Sequence, residues 1–328
     1  MNKKERLPIV DILTIIATIL VVMGHHKFLR NDISWYPIYD KIIYSFHMGF
    51  FMVISGFLVR YSFPEDCHWV SYVCRKAKKF IPAYFTVGLL AALISSQSIG
   101  TFVHNILMLV VCPVLGPIQI IWYIYVLFMY YCLAPFLFKL TPKYRYSLFA
   151  ISLVFASFSV FFTPFFCIRS FIRMMPFFLL GSHIADNYKK FQAISDRTIF
   201  LAGVPFVAFV IVSIILNNNA KPNRLWYGKL LTSMMSLPLM YWIGRKLMRV
   251  VSFAKNSTRF SPYVYYVYLW QIFFIEGIWK VWQKTHLTLN EATSILYLIF
   301  SVSFTILGIV IMMKSWRWLS VKIRKPKL

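Results

Sequence analysis

Charged residues are scarce in this sequence of 328 residues, at 14% of the chain, and only 10 residues are acidic. Soluble domains usually contain about 25% charged and roughly 45–50% apolar residues, whereas 59% of this chain is hydrophobic. No stretch is long and polar enough to form an independent soluble domain. These shortages exclude an ordinary soluble protein and predict a single integral membrane domain over residues 1–328.

Cysteine is also scarce, and the 5 cysteines form no CxxC pair and no metal-ligand spacing with histidine. We interpret them as core or loop residues, predict no metal site, and leave the redox compartment open. The net charge of +25 invites a nucleic-acid interpretation, but the basic residues lie in short loops between apolar runs. That pattern is typical of cytoplasmic loops and of contact with anionic lipid. We therefore expect membrane lipids, and no nucleic acid, as partners.

Apolar runs long enough to cross a bilayer, about 17–25 residues each, dominate the sequence. The candidates are 7–29, 40–61, 80–98, 101–117, 119–140, 146–166, 170–186, 197–217, 226–247, 262–282 and 293–314. They predict an all-α fold, a polytopic membrane helix bundle with about ten transmembrane helices and one re-entrant segment. The re-entrant candidate is 101–117, because it contains His104, Asn105, Pro113, Gly116 and Pro117.

The distribution of lysine and arginine decides between ten and eleven crossings. If 101–117 does not cross, most of the 35 basic residues fall on the side of the two termini. If it crosses, the bias reverses for every later loop. Since cytoplasmic loops carry excess positive charge, we predict ten crossings in the cell membrane with both termini cytoplasmic. The basic start, 1–6, precedes an uncleaved first helix, because no small-residue cleavage site follows it.

Histidines within apolar spans are the best candidates for function. His25 and His26 lie near the end of the first span, and His47 lies at a similar depth in the next. Ionisable groups in a span usually face a bundle interior or a wet cavity, where they react or line a path. For His25 we keep both a functional and an interfacial interpretation, and for His26 we favour the interface. A contact between His25 and His47 is a hypothesis, and its alternative is a histidine satisfied within the bundle.

In the first span, Asp11 is followed fourteen residues later by His25. This spacing resembles the first-helix signature of the acyltransferase-3 family, integral membrane acyltransferases that modify sugars and other carbohydrates. Phe50-Phe51 and Ser55-Gly56-Phe57 resemble its FF…SG[FY] element. Four further elements follow in the family's order: Lys76-x-x-Lys79 with Pro82, Ile121-Trp122-Tyr123 with Tyr130 and Pro135, Met175 to Gly181, and Tyr268-Leu269-Trp270-Gln271.

Several positions depart from the family pattern. Thr14 stands where the family has an arginine, and Gln271 where it has a late histidine. Lys76 and Lys79 replace two arginines, which keeps the charge but loses the bidentate fork that suits phosphate. The resemblance therefore supports the fold more strongly than the catalytic machinery.

The resemblance implies an acyl-CoA co-substrate, acetyl-CoA above all, on the cytoplasmic side, with no bound cofactor. It also implies a hydroxyl acceptor on a surface polysaccharide or its lipid-linked precursor. A sugar hydroxyl needs a base with a pKa near 7, and histidine requires the least adjustment. We predict His25 as the catalytic residue, acting as this base or carrying the acyl group itself. Arg75, Lys76 and Lys79 are predicted to hold the donor phosphates, although such a cluster also fixes orientation.

Four residues are candidates for the acceptor cavity: His47, Arg169, Arg173 and Gln271. The two arginines are four residues apart, hence on one helical face, and would suit an anionic acceptor or snorkel to the interface. Thr14 and Gln271 stand where the family has an arginine and a late histidine. The absence of both family residues also fits a second hypothesis, a non-enzymatic family member that assists polysaccharide export or assembly. A secondary transporter is the third, with less support, since only Asp11 and Glu276 among the acids lie well inside spans.

Overall fold

The computed structural model describes residues 5–30, 33–64, 67–215, 226–285 and 287–324. Every regular element in these ranges is helical. The α-helices are α1 (Pro8–Gly24), α2 (Tyr36–Tyr61), α3 (Trp69–Ser95), α4 (Ile99–Val111), α5 (Trp122–Leu137), α6 (Pro142–Ser157), α7 (Ile168–Asp186), α8 (Tyr188–Ala193), α9 (Asp196–Ile215), α10 (Trp226–Met248), α11 (Val251–Phe260), α12 (Val264–Lys284) and α13 (Glu291–Arg324).

Six stretches of helix within the described residues are long and apolar enough to cross a membrane. They are Tyr36–Tyr61, Trp69–Ser95, Gln119–Leu137, Phe165–Asp186, Asp196–Ile215 and Glu291–Trp316. The helices α1 and α4 are apolar but shorter. These findings confirm the predicted class, an all-α polytopic membrane bundle, while ten crossings and cytoplasmic termini stay predictions.

The segment predicted to be re-entrant is broken where its prolines fall. Helix α4 begins with a capping box, in which the side chains of Ser98 and Thr101 each bond to the other's backbone N–H. It has 13 residues and ends at Val111, which makes it about 20 Å long at 1.5 Å per residue. A bilayer core is about 30 Å thick. A 3₁₀ turn at Pro113–Leu115 follows at once, so the helix is too short to cross unaided.

The contacts of the chain divide it into two compact units. The first comprises Met1–Glu5, Gly49–Ser195 and Arg224–Leu230, and the second comprises Arg6–Met48, Asp196–Asn223 and Leu231–Leu328. The division between Met48 and Gly49 falls inside α2. Whether 1–328 acts as a single domain stays a prediction.

In the first unit, a close crossing of α2 and α7 depends on two glycines. A Cβ at Gly56 would lie 2.0 Å from the carbonyl oxygen of Phe178, and one at Gly181 would lie 2.0 Å from that of Val53. Each glycine therefore lets the other helix's backbone approach, as small residues do in membrane bundles. The glycines of the SG[FY] and Met175–Gly181 motifs are thus two sides of one contact.

Helix α5 packs beside that crossing through its own motif residues. The Tyr123 hydroxyl lies 2.5 Å from Ser55 Oγ of α2. The Tyr130 ring stacks on Phe178 with centroids 4.3 Å apart, and its hydroxyl donates to the carbonyl oxygen of Phe171. These motifs therefore form one packed core within the first unit.

The second unit has a core of its own, built by α12, α13 and the end of α1. Its fully buried members include Val22, Val267, Ile275, Tyr297 and Ile309. Trp279 stacks on Phe28 there, with ring centroids 4.3 Å apart. This packing fixes the C-terminal end of α1, where the histidine pair lies.

Candidate active site

The imidazole of His25 contacts the side chain of Gln271, which lies 246 residues later in the chain. His25 is the residue directly after α1, and its backbone N–H still bonds to the carbonyl oxygen of Val22. Its Nδ1 lies 3.3 Å from Oε1 of Gln271 on α12. Gln271 is completely buried, and its Nε2 donates to the carbonyl oxygen of Tyr268 at 3.0 Å.

The second bond of Gln271 decides how the imidazole of His25 is protonated. A carbonyl oxygen only accepts, so the Gln271 amide must direct its NH₂ group to Tyr268 and its oxygen to His25. An oxygen at 3.3 Å requires a proton on Nδ1 of His25. In the neutral ring the lone pair then lies on Nε2, to which no hydrogen bond from a described residue is assigned. This is the protonation pattern of a general base.

His47 on α2 lies in the same unit as this pair and is almost completely buried, at 1% exposure. Its Nδ1 donates to the carbonyl oxygen of Ile43 at 2.7 Å. Both His47 and Lys27 lie within electrostatic range of the His25 ring. Tyr44 packs edge-on against His47 with centroids 4.9 Å apart. The second unit thus brings together three predicted residues, His25, His47 and Gln271.

His26 is not at the interface, so the interpretation we favoured for it is wrong. It is completely buried, with Nδ1 donating to the carbonyl oxygen of Val22 at 3.1 Å. Its Nε2 lies 2.9 Å from the hydroxyl of Ser301 on α13. Because Nδ1 holds the proton, Nε2 accepts from Ser301, and both ring nitrogens are occupied. His26 joins α1 to α13 and has no lone pair left for chemistry.

Two hydroxyl residues near His47 were not predicted from the sequence. Thr232 Oγ1 and Ser233 Oγ on α10 both donate to the carbonyl oxygen of Ser45, at 3.0 Å each. All three residues are buried, so α10 adds polar contacts two residues before His47. The available signal was a cluster of small hydroxyl residues, Thr232, Ser233 and Ser236, within an apolar run.

Thr14 is satisfied by its own helix, although the family has an arginine at this position. Its hydroxyl donates to the carbonyl oxygen of Val10 at 2.6 Å. Asp11 instead pairs with Arg6, whose Nε lies 2.7 Å from Oδ2. Asp11 therefore has a cationic partner, Arg6, although position 14 is a threonine and not the family's arginine.

The predicted donor residues lie in the first unit, on α3. Arg75 and Lys79 are exposed, and Lys76 is half-buried. Lys76 Nζ lies 4.3 Å from the ring centroid of Tyr131, and Lys79 Nζ lies 5.4 Å from that of Phe80. Cation–π contacts of this kind hold the ammonium groups over aromatic faces. Three positive charges therefore gather on one turn of α3.

Arg169 and Arg173 also lie in the first unit, in the first turns of α7. Arg169 Nε donates to the carbonyl oxygen of Phe162 at 2.8 Å, and Arg173 Nε donates to Ser159 Oγ at 2.9 Å. Both are half-buried. They stabilise the turn before α7, where Phe166 and Cys167 have φ angles of 50° and 55°. Left-handed backbone at two adjacent non-glycine residues is uncommon and strained.

The fold and the histidine site define a class of protein, a helical membrane protein with a half-buried imidazole at the end of α1. A family model described as an acyltransferase domain, acyltransferase-3, matches residues 7–314, nearly the whole chain. The chain therefore belongs to the acyltransferase-3 family and is a membrane acyltransferase. No curated protein and no solved structure gives a significant match.

Proposed function

We propose that the protein is a membrane-bound O-acyltransferase of the cell membrane. It would move an acyl group, most simply acetyl, from acyl-CoA to a hydroxyl of a surface polysaccharide or its lipid-linked precursor. The observation that carries the proposal is the contact between His25 and Gln271, which leaves Nε2 of His25 as the basic nitrogen.

In the proposed reaction, Nε2 of His25 takes the proton of the acceptor hydroxyl as its oxygen bonds to the thioester carbonyl carbon. The carbon–sulfur bond then breaks, and the imidazolium returns the proton to the CoA thiolate. The products are an ester and free CoA, and the enzyme ends as it began. Gln271 accepts from Nδ1 throughout and so stabilises the ring while it carries both protons.

Donor binding is assigned to the α3 cations. Phosphate groups favour charge-assisted hydrogen bonds from lysine and arginine, and the exposed Arg75 and Lys79 supply two positive charges for them. Lysine acts toward phosphate as a point charge without a fixed fork, so the replacement of two family arginines keeps attraction and reduces geometric selectivity.

Acceptor binding in the second unit is assigned to His47, which interacts electrostatically with the His25 ring and can position a hydroxyl there. In the first unit, the half-buried Arg169 is proposed, separately, to bind an anionic group, and Arg173 stabilises the same turn.

The proposal is tested in cells that lack the protein and are complemented with wild type or variants. Ester groups on the surface polysaccharide are measured by proton NMR. Wild type restores the ester, and His25→Ala does not, because general-base catalysis contributes about 10²–10⁴-fold. His104→Ala, an exposed histidine on α4, is the matched control and restores it. Export of unesterified glycan that depends on the protein but not on His25 would favour the non-enzymatic alternative.

A further inference from the structure

A cavity of about 560 Å³ lies in the first unit among α3, α4, α5 and α7. Its lining is apolar and includes Phe80, Phe85, Leu109, Phe128 and Met129. The hydroxyl of Tyr84, which also contributes to the wall, already donates to the carbonyl oxygen of Leu109 at 2.6 Å. The volume falls within the range of roughly 300–1,000 Å³ found for small-molecule sites.

The cavity opens toward the outside of the helices that form it. Three of its lining residues, Ile81, Val110 and Leu133, are among the exposed large hydrophobic residues, at 40%, 43% and 36% exposure. Leu89 and Leu93 farther along α3 are exposed as well. In a membrane protein such a face meets hydrocarbon, so a lipid chain can enter the cavity sideways.

One end of the cavity is positively charged. Lys76 precedes Phe80 by four residues and therefore lies one turn earlier on the same face of α3. Its Nζ lies between the rings of Tyr131 and Tyr72, 4.3 and 5.3 Å from their centroids. The ion pairs between described residues include no acidic partner for Lys76. Within the described part of the chain, Lys76 is thus a half-buried cation with no acidic partner, one helical turn from an apolar cavity. This combination favours an amphiphilic anion as ligand.

We infer that this cavity binds one hydrocarbon chain of an anionic membrane phospholipid whose phosphate contacts Lys76. In a phospholipid the phosphate is only a few atoms from the chain, which matches a cation one helical turn from an apolar wall. In acyl-CoA the phosphates are separated from the acyl chain by the amide-containing pantetheine arm. Among the described residues of the wall, the only hydroxyl groups are those of Tyr84 and Tyr125, too few for the several amide groups of the pantetheine arm, so this cavity suits a hydrocarbon chain better than the donor. Arg75 and Lys79, both exposed, remain for the donor phosphates.

The test uses the purified protein in nanodiscs that contain trace phosphatidylglycerol with a diazirine in one acyl chain. Irradiation and peptide mapping then measure labelling of the lining residues of α3 and α5. Phosphatidylcholine with the same diazirine chain is the comparison lipid. We expect phosphatidylglycerol to label the cavity about tenfold more strongly, a difference of about 1.4 kcal/mol, because the choline ammonium of phosphatidylcholine offsets its phosphate charge and is repelled by Lys76.

Lys76→Gln is expected to remove that preference, whereas the matched control Lys78→Gln, an exposed lysine on the opposite face of α3, keeps it. Met129→Trp, which fills the cavity, is expected to reduce labelling by both lipids. Equal labelling by the two lipids in wild type, or an unchanged preference in Lys76→Gln, would overturn the inference. Because no turnover is measured, the result is independent of the proposed acyl transfer.

Discussion

Two adjacent histidines, chemically identical in the sequence, have opposite roles in the structure. His26 uses both ring nitrogens in bonds to Val22 and Ser301, whereas His25, as far as the described residues go, bonds through Nδ1 alone, to Gln271. The prediction of His25 as a site residue came from its spacing from Asp11 and from the family resemblance. It could not identify the partner, because helical periodicity shows which face a residue occupies and not which distant helix meets that face.

The role of Gln271 leads to a prediction at the same scale. Gln271→Leu removes the acceptor for Nδ1, so the His25 ring is no longer held with its lone pair on Nε2. We expect the kcat of acyl transfer to fall about tenfold, the effect of one lost hydrogen bond of roughly 1–1.5 kcal/mol, with KM for the donor little changed.

One further measurement and one control accompany this prediction. Nitrogen-15 NMR of labelled histidine reports directly which ring nitrogen of His25 carries the proton. The control is Gln283→Leu, an exposed glutamine on the same helix. A variant at Gln271 with normal kcat and an unchanged tautomer would remove this residue from the mechanism.

At the scale of helices, the sequence located most elements and misplaced several boundaries. The spans predicted at 40–61 and 170–186 correspond to α2 (Tyr36–Tyr61) and α7 (Ile168–Asp186), because long apolar runs define such helices well. Helix α11, Val251–Phe260, was missed because it is polar and short. It packs near the start of α1, where Arg6 Nη2 donates to the carbonyl oxygen of Thr258 at 2.7 Å.

The close crossing of α2 and α7 gives the prediction at this scale. Gly56→Ala places a methyl group 2.0 Å from a backbone oxygen, and a backbone cannot move aside as a flexible side chain can. We expect a loss of stability of about 1–3 kcal/mol, the usual cost of overpacking. Thermal unfolding in detergent, followed by size-exclusion chromatography, measures it.

The stability of Gly56→Ala is compared with that of two other variants, one at the second glycine of the crossing and one at a glycine whose added Cβ would meet no atom. Gly181→Ala is expected to match Gly56→Ala, because its Cβ meets the Val53 carbonyl oxygen at the same distance. Gly277→Ala on α12 is the control, since no atom lies within 4 Å of its Cβ. Equal melting temperatures for all three variants would show that the two helices do not cross this closely.

At the scale of the whole molecule, two of the few acidic residues each form ion pairs with more than one basic residue. In the first unit Asp186 pairs with Arg60 and Arg145. In the second unit Asp196 pairs with Arg245, Lys246 and Arg249. The excess of positive charge in these loops is therefore partly organised into ion pairs within each unit, and the remainder is available to anionic lipid.

Charge bias also supplies the topology prediction. With ten crossings, Lys143 in the first turn of α6 is cytoplasmic, and so is the C-terminal end of the chain. A green fluorescent protein and alkaline phosphatase pair of reporters, fused after Lys143 and after Leu328, is expected to give fluorescence and no phosphatase activity at both sites. Phosphatase activity at either site would mean that 101–117 crosses or that the orientation is reversed.

The measurement that tests the central claim most directly is the initial rate of acyl transfer by purified protein in nanodiscs. Radiolabelled acetyl-CoA serves as donor and the cell's own surface glycan as acceptor. We predict that His25→Ala lowers the rate at least 100-fold, while His104→Ala keeps the wild-type rate. An unchanged rate in His25→Ala protein that folds normally would contradict the assignment of this imidazole as the catalytic base.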